Sequence, residues 1–138
     1  MEGKKISQIT IGDEAEFSKT ISEYDVYSFA GIVGDFNAIH VNKEYAKNTI
    51  FKERIVHGIL GVGLISTVIG TYLPGEGTIY LSQNTKFIKP VYFGDTITAK
   101  VKIIEKNEIK NKIKLYTKCT NQNNEIVIEG ESIVMPPK

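Results

Sequence analysis

The chain has 138 residues, of which 41% are hydrophobic and 24% are charged. These values are typical of a soluble globular domain, expected here as one unit over residues 1–138, and they exclude a disordered or low-complexity chain. The 17 basic and 16 acidic residues give a formal net charge of +1. No overall electric field therefore favours nucleic acid or an anionic membrane as a partner, and an anionic ligand would have to be bound locally.

The cysteine content and the N-terminal residues indicate the cellular compartment. Cys119 has no second cysteine with which to form an internal disulfide, which fits a reducing environment. Lys4 and Lys5 are not followed by an apolar stretch of signal-peptide length. We therefore expect a cytoplasmic protein.

A strand and two helices are predicted in the first third of the chain. The strand is expected near residues 15–20. Ser22 is a suitable N-cap for a helix over residues 23–31. Asn42 can cap a second, short helix over residues 43–47.

The connection between these helices carries polar residues of catalytic type. It reads Gly-Asp-Phe-Asn-Ala-Ile-His over residues 34–40, and a His-Gly pair follows at positions 57 and 58. The carboxylate of Asp35 and the imidazole of His40 could hold and activate one water molecule. The alternative is an Asx turn, in which the Asp35 side chain accepts hydrogen bonds from backbone amides, and the local pattern alone favours that turn.

The longest apolar stretch covers residues 55–73 and is at the short end of what spans a bilayer. Because it contains a histidine, hydroxyl side chains and four glycines, we predict a buried helix of a soluble protein over about residues 57–73. A helix that is apolar all round is enclosed by other protein on most sides. Gly61 and Gly63 are expected to permit tight packing of this helix.

Four strand-like segments make up the remainder of the chain, over residues 78–89, 96–106, 109–120 and 125–135. In the third segment, Ile113 and Leu115 alternate with Lys112 and Lys114. This alternation predicts an antiparallel sheet with one face in water. With the first strand, the pattern indicates an α+β domain in which a curved antiparallel sheet encloses one long helix.

Two stretches resemble the hydratase 2 motif of the MaoC-like, (R)-specific enoyl-CoA hydratases: YSFAGIVGDFNAIH at 27–40 and FKERIVHG at 51–58. Residues 77–95 are similar to the strand pair that follows this motif, so the resemblance covers almost the whole chain. Ala38 stands where the family usually has Pro, and Ile59 where Met is common. Neither departure removes a functional group. The resemblance implies a hot-dog fold, usually as a homodimer with substrate tunnels near the subunit interface.

The resemblance also implies an activity and a catalytic pair. It implies addition of water to trans-2-enoyl-CoA to give (R)-3-hydroxyacyl-CoA, a reversible step in fatty acid or polyhydroxyalkanoate metabolism. Asp35 and His40 would hold the reacting water together. Gly58 would provide the backbone N–H that binds the thioester oxygen, at a helix N-terminus where unpaired amides point outward.

Three further residues receive supporting roles. His57 is expected to position the loop that contains Asp35, and Asn37 to fix that loop or the water. Ser66 matches a family position that hydrogen-bonds near the catalytic Asp. A serine on a buried helix, however, often bonds only to the carbonyl four residues earlier.

Other functions are possible for the same residues. Asp35, His40 and His57 could bind a metal, but their spacings of five and seventeen match no compact zinc pattern. Since phosphate-binding glycine loops are also absent from the sequence, we expect neither a metal nor a cofactor. A dehydratase of acyl-carrier-protein substrates, a hot-dog thioesterase and a non-catalytic acyl-CoA-binding module remain alternatives. No strongly basic docking patch stands out.

Overall fold

The computed structural model describes residues 2–138 and contains one five-stranded antiparallel sheet in the order β1-β3-β4-β5-β2. The strands are β1 (Glu14–Thr20), β2 (Ile79–Phe87), β3 (Thr96–Asn107), β4 (Lys112–Thr120) and β5 (Ile126–Met135). All five match the predicted segments to within three residues at each end. The sheet leaves β1 and β2 as its two edges.

Four α-helices accompany the sheet: α1 (Glu23–Val33), α2 (Ala38–Val41), α3 (Lys43–Lys47) and α4 (Gly58–Thr71). A short 3-10 helix (Ile6–Gln8) precedes β1. Both predicted N-caps are confirmed. The Ser22 hydroxyl accepts a hydrogen bond from the Asp25 N–H at 3.1 Å, and the Asn42 side-chain oxygen accepts one from the Tyr45 N–H at 3.0 Å. These bonds satisfy amides that have no partner within the helix.

The hydrophobic core lies between α4 and the inner face of the sheet. Every second residue of β4 is buried and faces the core: Ile113, Leu115, Thr117 and Cys119. The residues between them, including Lys114 and Lys118, are partly exposed. Helix α4 contributes Leu64, Ile65, Val68 and Ile69 to the same core. The predicted one-sided sheet is therefore confirmed.

The expectation that α4 is enclosed on most sides is wrong within this chain. Ile59, Gly63, Ser66 and Gly70 lie on an exposed side of the helix, because a single sheet covers only the opposite side. A Cβ added to Gly61 would lie 2.3 Å from Ile128 Cδ1, so this glycine does permit tight packing. A Cβ added to Gly63 would have no neighbour within 4 Å. In residues 2–138, no helix has the length and apolarity needed to cross a bilayer.

Candidate active site

The turn after α1 places the Asp35 side chain. Gly34 ends the helix in the left-handed region, with φ of 81°, where glycine is favoured. The Asp35 carboxylate then accepts a hydrogen bond from the Asn37 N–H at 3.2 Å, and the Asn37 side chain caps α2 by accepting from the Ile39 N–H at 3.3 Å. The Asx turn is thus present, and it holds a half-exposed carboxylate in a defined place.

His40 lies on α2, which is one turn long, rather than in a loop as the sequence suggested. Its Nδ1 is 2.7 Å from the carbonyl oxygen of Ile55. Because a carbonyl can only accept, Nδ1 carries the proton of this bond, and Nε2 of the neutral ring keeps its lone pair. Burial lowers the pKa of His40, the Ile55 carbonyl raises it, His57 lowers it and Asp35 raises it, with a net decrease. The neutral ring is therefore favoured.

His57 joins the two catalytic candidates. Its Nε2 donates a hydrogen bond to the backbone carbonyl of Asp35 at 3.0 Å. Its ring stacks on the His40 ring, with the centroids 3.8 Å apart and an interplanar angle of 27°. The Phe29 ring meets it edge-on at 4.9 Å. These contacts support the predicted role of His57 in positioning the Asp35 loop.

Asp35, His40 and His57 come together despite their separation in sequence. One potential metal-ligand atom of each residue, a ring nitrogen or a carboxylate oxygen, lies within 4.8 Å of those of the other two. The stacked imidazole rings are a poor metal site, however, because their lone pairs lie in nearly parallel planes and cannot both point at one ion. One nitrogen of each ring also binds a carbonyl. The arrangement suits hydrogen bonding to a small polar molecule.

A cavity of about 400 Å³ opens beside the two histidines. Its walls are mostly apolar and include Phe51, Ile55, Phe87 and the first residues of α4. The cavity volume is in the range of small-molecule pockets, roughly 300–1,000 Å³.

Gly58 begins α4 at the wall of this cavity. The His57 side chain makes no capping hydrogen bond to the helix, so the first amides are not satisfied from that side. A Cβ on Gly58 would lie 2.5 Å from Cε1 of Phe87. A glycine therefore allows Phe87 and a ligand to approach the helix N-terminus closely.

The structure does not place Ser66 with the other predicted site residues. It is exposed on α4, and within residues 2–138 its hydroxyl makes no hydrogen bond, either near Asp35 or to the carbonyl four residues earlier. Ser66 lies on the side of the helix that the sheet does not cover, so its role near Asp35 stays a prediction.

A second cavity, which the sequence analysis missed, lies beside the segment that leads to His57. Four basic side chains line it: Lys43, Lys47, Lys52 and Arg54. The sequence analysis found no strongly basic docking patch, and this cluster is offset by nearby carboxylates, since Lys47 pairs with Glu44 and Arg54 with Glu23. The sequence does place these four basic residues within twelve positions. Glu44 and Glu53 lie between them, so the segment does not read as a basic run.

Comparison with known proteins agrees with this geometry. A curated (R)-specific enoyl-CoA hydratase from Rhodospirillum rubrum is 49% identical over 126 residues, which cover 91% of this chain and 87% of the relative. A 3-hydroxybutyryl-CoA dehydratase from Methylorubrum extorquens is 40% identical over 130 residues, covering 94% of this chain and 82% of the relative.

A solved structure shows the same fold. The unliganded R-hydratase from Pseudomonas aeruginosa superposes with a TM-score of 0.93 at 40% identity, covering 99% of this chain and 87% of that chain. The predicted hot-dog fold is confirmed by this similarity. A family model described as a MaoC like domain matches residues 7–125. The chain therefore belongs to the MaoC-like dehydratase family.

Proposed function

We propose that the protein is an (R)-specific enoyl-CoA hydratase, a hydro-lyase that adds water to trans-2-enoyl-CoA and also catalyses the reverse dehydration. The observation that carries the proposal is the bond from His40 Nδ1 to the Ile55 carbonyl, which leaves Nε2 of this ring as a proton acceptor. One nitrogen of the ring lies within 4.8 Å of an Asp35 carboxylate oxygen. Both curated relatives described above have CoA thioesters in their names, one as a hydratase and one as a dehydratase. This supports the substrate class.

Asp35 and His40 would act together on one water molecule. The Asp35 carboxylate and His40 Nε2 both accept hydrogen bonds, so a water between them has both protons engaged and its oxygen free to attack C3. As the C3–O bond forms, one water proton passes to the pair. A proton is delivered from the pair to C2 on the same face, which completes the addition and gives the (R)-3-hydroxyacyl product.

The proton in transit belongs to the pair. Both groups accept a hydrogen bond from the same water, so a proton taken from that water can reside on either of them. Asp35 is half-exposed and its turn is held by Asn37 and His57, whereas His40 is buried and held by Ile55. Each partner is therefore fixed in place independently of the other.

Gly58 would stabilise the negative charge that develops on the thioester oxygen. Attack at C3 moves electrons through C2 onto that oxygen, where a preorganised donor has its largest effect. The N–H of Gly58 is at the N-terminus of a fourteen-residue helix, where the positive end of the helix dipole adds to the attraction. The absence of a side chain leaves room for the thioester beside Phe87.

The decisive measurement is loss of absorbance at the enoyl thioester band with crotonyl-CoA, followed by chiral analysis of the product. We expect conversion to (R)-3-hydroxybutyryl-CoA without an added metal or cofactor. An (S) product, or activity abolished by a chelator and restored by zinc, would contradict the proposal. Crotonyl attached to acyl carrier protein forms a parallel arm, and a strong preference for it would favour the carrier-protein dehydratase alternative.

We also propose that the protein works as a homodimer. β2 is an edge strand, and exposed apolar side chains occur on it and just after it: Ile79, Leu81, Phe87 and Ile88. The uncovered side of α4 adds Ile59 and the small residues near Ser66. Pairing with a second copy would cover both surfaces and the unpaired backbone groups of the edge.

Light scattering tests the dimer. We expect twice the monomer mass of 15.4 kDa for the native chain and a shift toward the monomer for Leu81→Lys. Ile109→Lys is a matched control, because Ile109 is 99% exposed in the turn between β3 and β4. A native protein that scatters as a monomer at working concentrations would rule out the dimer.

A further inference from the structure

Arg54 is largely buried although it carries a charge. Only 18% of its side chain is exposed. Its guanidinium lies 4.7 Å from the centroid of the Phe93 ring and 5.7 Å from that of the Tyr27 ring. A planar guanidinium on an aromatic face keeps one orientation when its N–H groups are also bonded. Arg54 therefore has the character of a fixed internal contact.

The hydrogen bonds of Arg54 connect it with α1 and α2. Its Nη1 donates to the Glu23 carboxylate at 2.8 Å and also to the Tyr27 hydroxyl. The bond from Arg54 is the main cause that lowers the pKa of Glu23, so this carboxylate stays charged at neutral pH. The Tyr27 hydroxyl donates in turn to the carbonyl of Val41, the residue after His40, at 3.2 Å. We call the chain of contacts from Glu23 through Arg54 and Tyr27 to Val41 the Arg54 bridge.

The Arg54 bridge lies beside the bonds that hold the catalytic imidazole. Ile55, the next residue after Arg54, uses both of its backbone groups on α2. Its N–H donates to the Ile39 carbonyl at 3.2 Å, and its carbonyl accepts from His40 Nδ1 at 2.7 Å. The bridge thus joins the same two segments, one residue away from each of these bonds.

Helix α2 needs such support because it is short. It has four residues, Ala38–Val41, which is too few for a helix to be stable without tertiary contacts. The segment that holds it is fixed on one side by the bond from the Val56 N–H to the Val91 carbonyl at 2.8 Å. On the side of α1, the contact is made by the Arg54 side chain.

We propose that Arg54 is a positioning residue for the hydration reaction, because its bridge aligns the Ile55 carbonyl with His40 Nδ1 and so determines that Nε2 faces the water. This inference rests on the proposed function, since it concerns the same imidazole. Arg54 is not among the described residues that line the catalytic cavity. Its effect on turnover therefore passes through His40.

The kinetics of Arg54→Met test this role. Methionine keeps an apolar stem and removes the charge and all donors. We expect kcat for crotonyl-CoA to fall about tenfold to a hundredfold, the loss that a displacement of roughly 1 Å causes at a catalytic group, and KM to stay within about twofold. Arg54→Lys keeps the charge but not the planar fork, so it should recover only part of kcat. A higher KM with unchanged kcat would overturn the inference, because Arg54 would then be a substrate contact.

Tyr27→Phe tests the bridge with a smaller change. It keeps the ring and removes only the hydroxyl, so kcat should fall about two- to tenfold, the loss expected for one hydrogen bond. Lys19→Met is the matched control, because the Lys19 pair with Asp25 at 3.3 Å joins the same helix to β1 instead. It should leave kcat within about twofold. Equal losses in the two variants would overturn the inference, since any loosening of α1 would then suffice.

The double variant Arg54→Met/His40→Gln tests whether the effect passes through His40. Once the imidazole is absent, its alignment no longer matters. Loss of Arg54 should then lower kcat by no more than about a further twofold. If the two losses multiply instead, Arg54 acts independently of His40 and the inference is wrong.

Nitrogen NMR of the imidazole rings tests the positioning without requiring turnover. His40 carries its proton on Nδ1 and His57 on Nε2, so the two histidines of the chain are distinguished by tautomer. We expect Arg54→Met to give a mixture of tautomers at His40 only. An unchanged His40 tautomer would overturn the inference, even if the native enzyme hydrates crotonyl-CoA. A mixed tautomer, in a protein whose native form hydrates no enoyl thioester, would instead overturn the proposed hydratase activity alone.

Discussion

The helix-and-sheet core and the segment from residue 34 to residue 58 are held in place by different interactions. The core between α4 and the sheet is built from buried aliphatic side chains. In the segment, ring nitrogens of His40 and His57 bind backbone carbonyls, and short side chains cap backbone amides. Shortening a core side chain lowers the free energy of unfolding by an amount that grows with the volume removed. Removing a directional hydrogen bond instead changes which atom faces the ligand. Stability and chemistry should therefore be separable by mutation.

Replacing the proposed catalytic pair is the strongest test of that separation. Asp35→Asn and His40→Gln each keep the approximate shape while removing acid-base capacity, so kcat should fall on the order of a hundredfold to ten-thousandfold. The double variant should lose little more than the worse single variant, because the two groups act on one water. Circular dichroism should show native folding. Near-normal turnover in either single variant would mean that this residue does not activate the water.

A core substitution should have the opposite effect and lower stability while leaving activity intact. Leu115→Ala, at a fully buried position of β4, should lower the free energy of unfolding by about 2–5 kcal/mol. Urea denaturation measures the loss, and Ile109→Ala, in the exposed turn before β4, should change it by no more than about 0.5 kcal/mol. At temperatures where the Leu115 variant remains folded, its kcat should match that of the native enzyme. A large fall in kcat would show that the core also determines the catalytic geometry.

His57 sharpens the comparison because it is buried and also belongs to the site. His57→Leu removes the hydrogen bond to the Asp35 carbonyl, and a loss of about 1.4 kcal/mol corresponds to a tenfold lower kcat. His57→Gln retains an amide donor and should recover part of the activity. We expect KM to change less than kcat, since the residue positions Asp35 rather than binding substrate. Equal activity of the Leu and native proteins would exclude the positioning role.

The smallest effect concerns pH. Burial is the main cause that lowers the pKa of His40 below its ordinary value of 6.5. Protonation would occupy Nε2, so kcat/KM should fall as the pH drops through the lowered pKa, and activity should persist below pH 6.5. A pH profile of kcat/KM measures the midpoint of this acid limb. A midpoint at or above 6.5 would contradict the assignment of a neutral, buried His40 as a proton acceptor.

Local sequence patterns predicted most of the fold and the main members of the site. Alternation along β4, the N-caps at Ser22 and Asn42, and the apolar run of α4 each depend on residues that are close in the chain, and each was found in the structure. The Asp-x-Asn-x-x-His order likewise lies within one short segment, so it identified Asp35 and His40 as candidates. Such patterns act over a few residues, which is why they can be read without the fold.

Only the tertiary structure decided how those candidates meet. The proton on His40 Nδ1 depends on a carbonyl fifteen residues away, and the Asp35 loop depends on a ring twenty-two residues away. The cavity that contains Lys43 and Lys52 forms because the segment after α3 packs beside Tyr92 and Phe93, which the charge order of the sequence does not reveal. The exposure of Ser66 likewise depends on which side of α4 the sheet covers. Contacts between distant segments are set by how the whole core packs, and no local pattern encodes that packing.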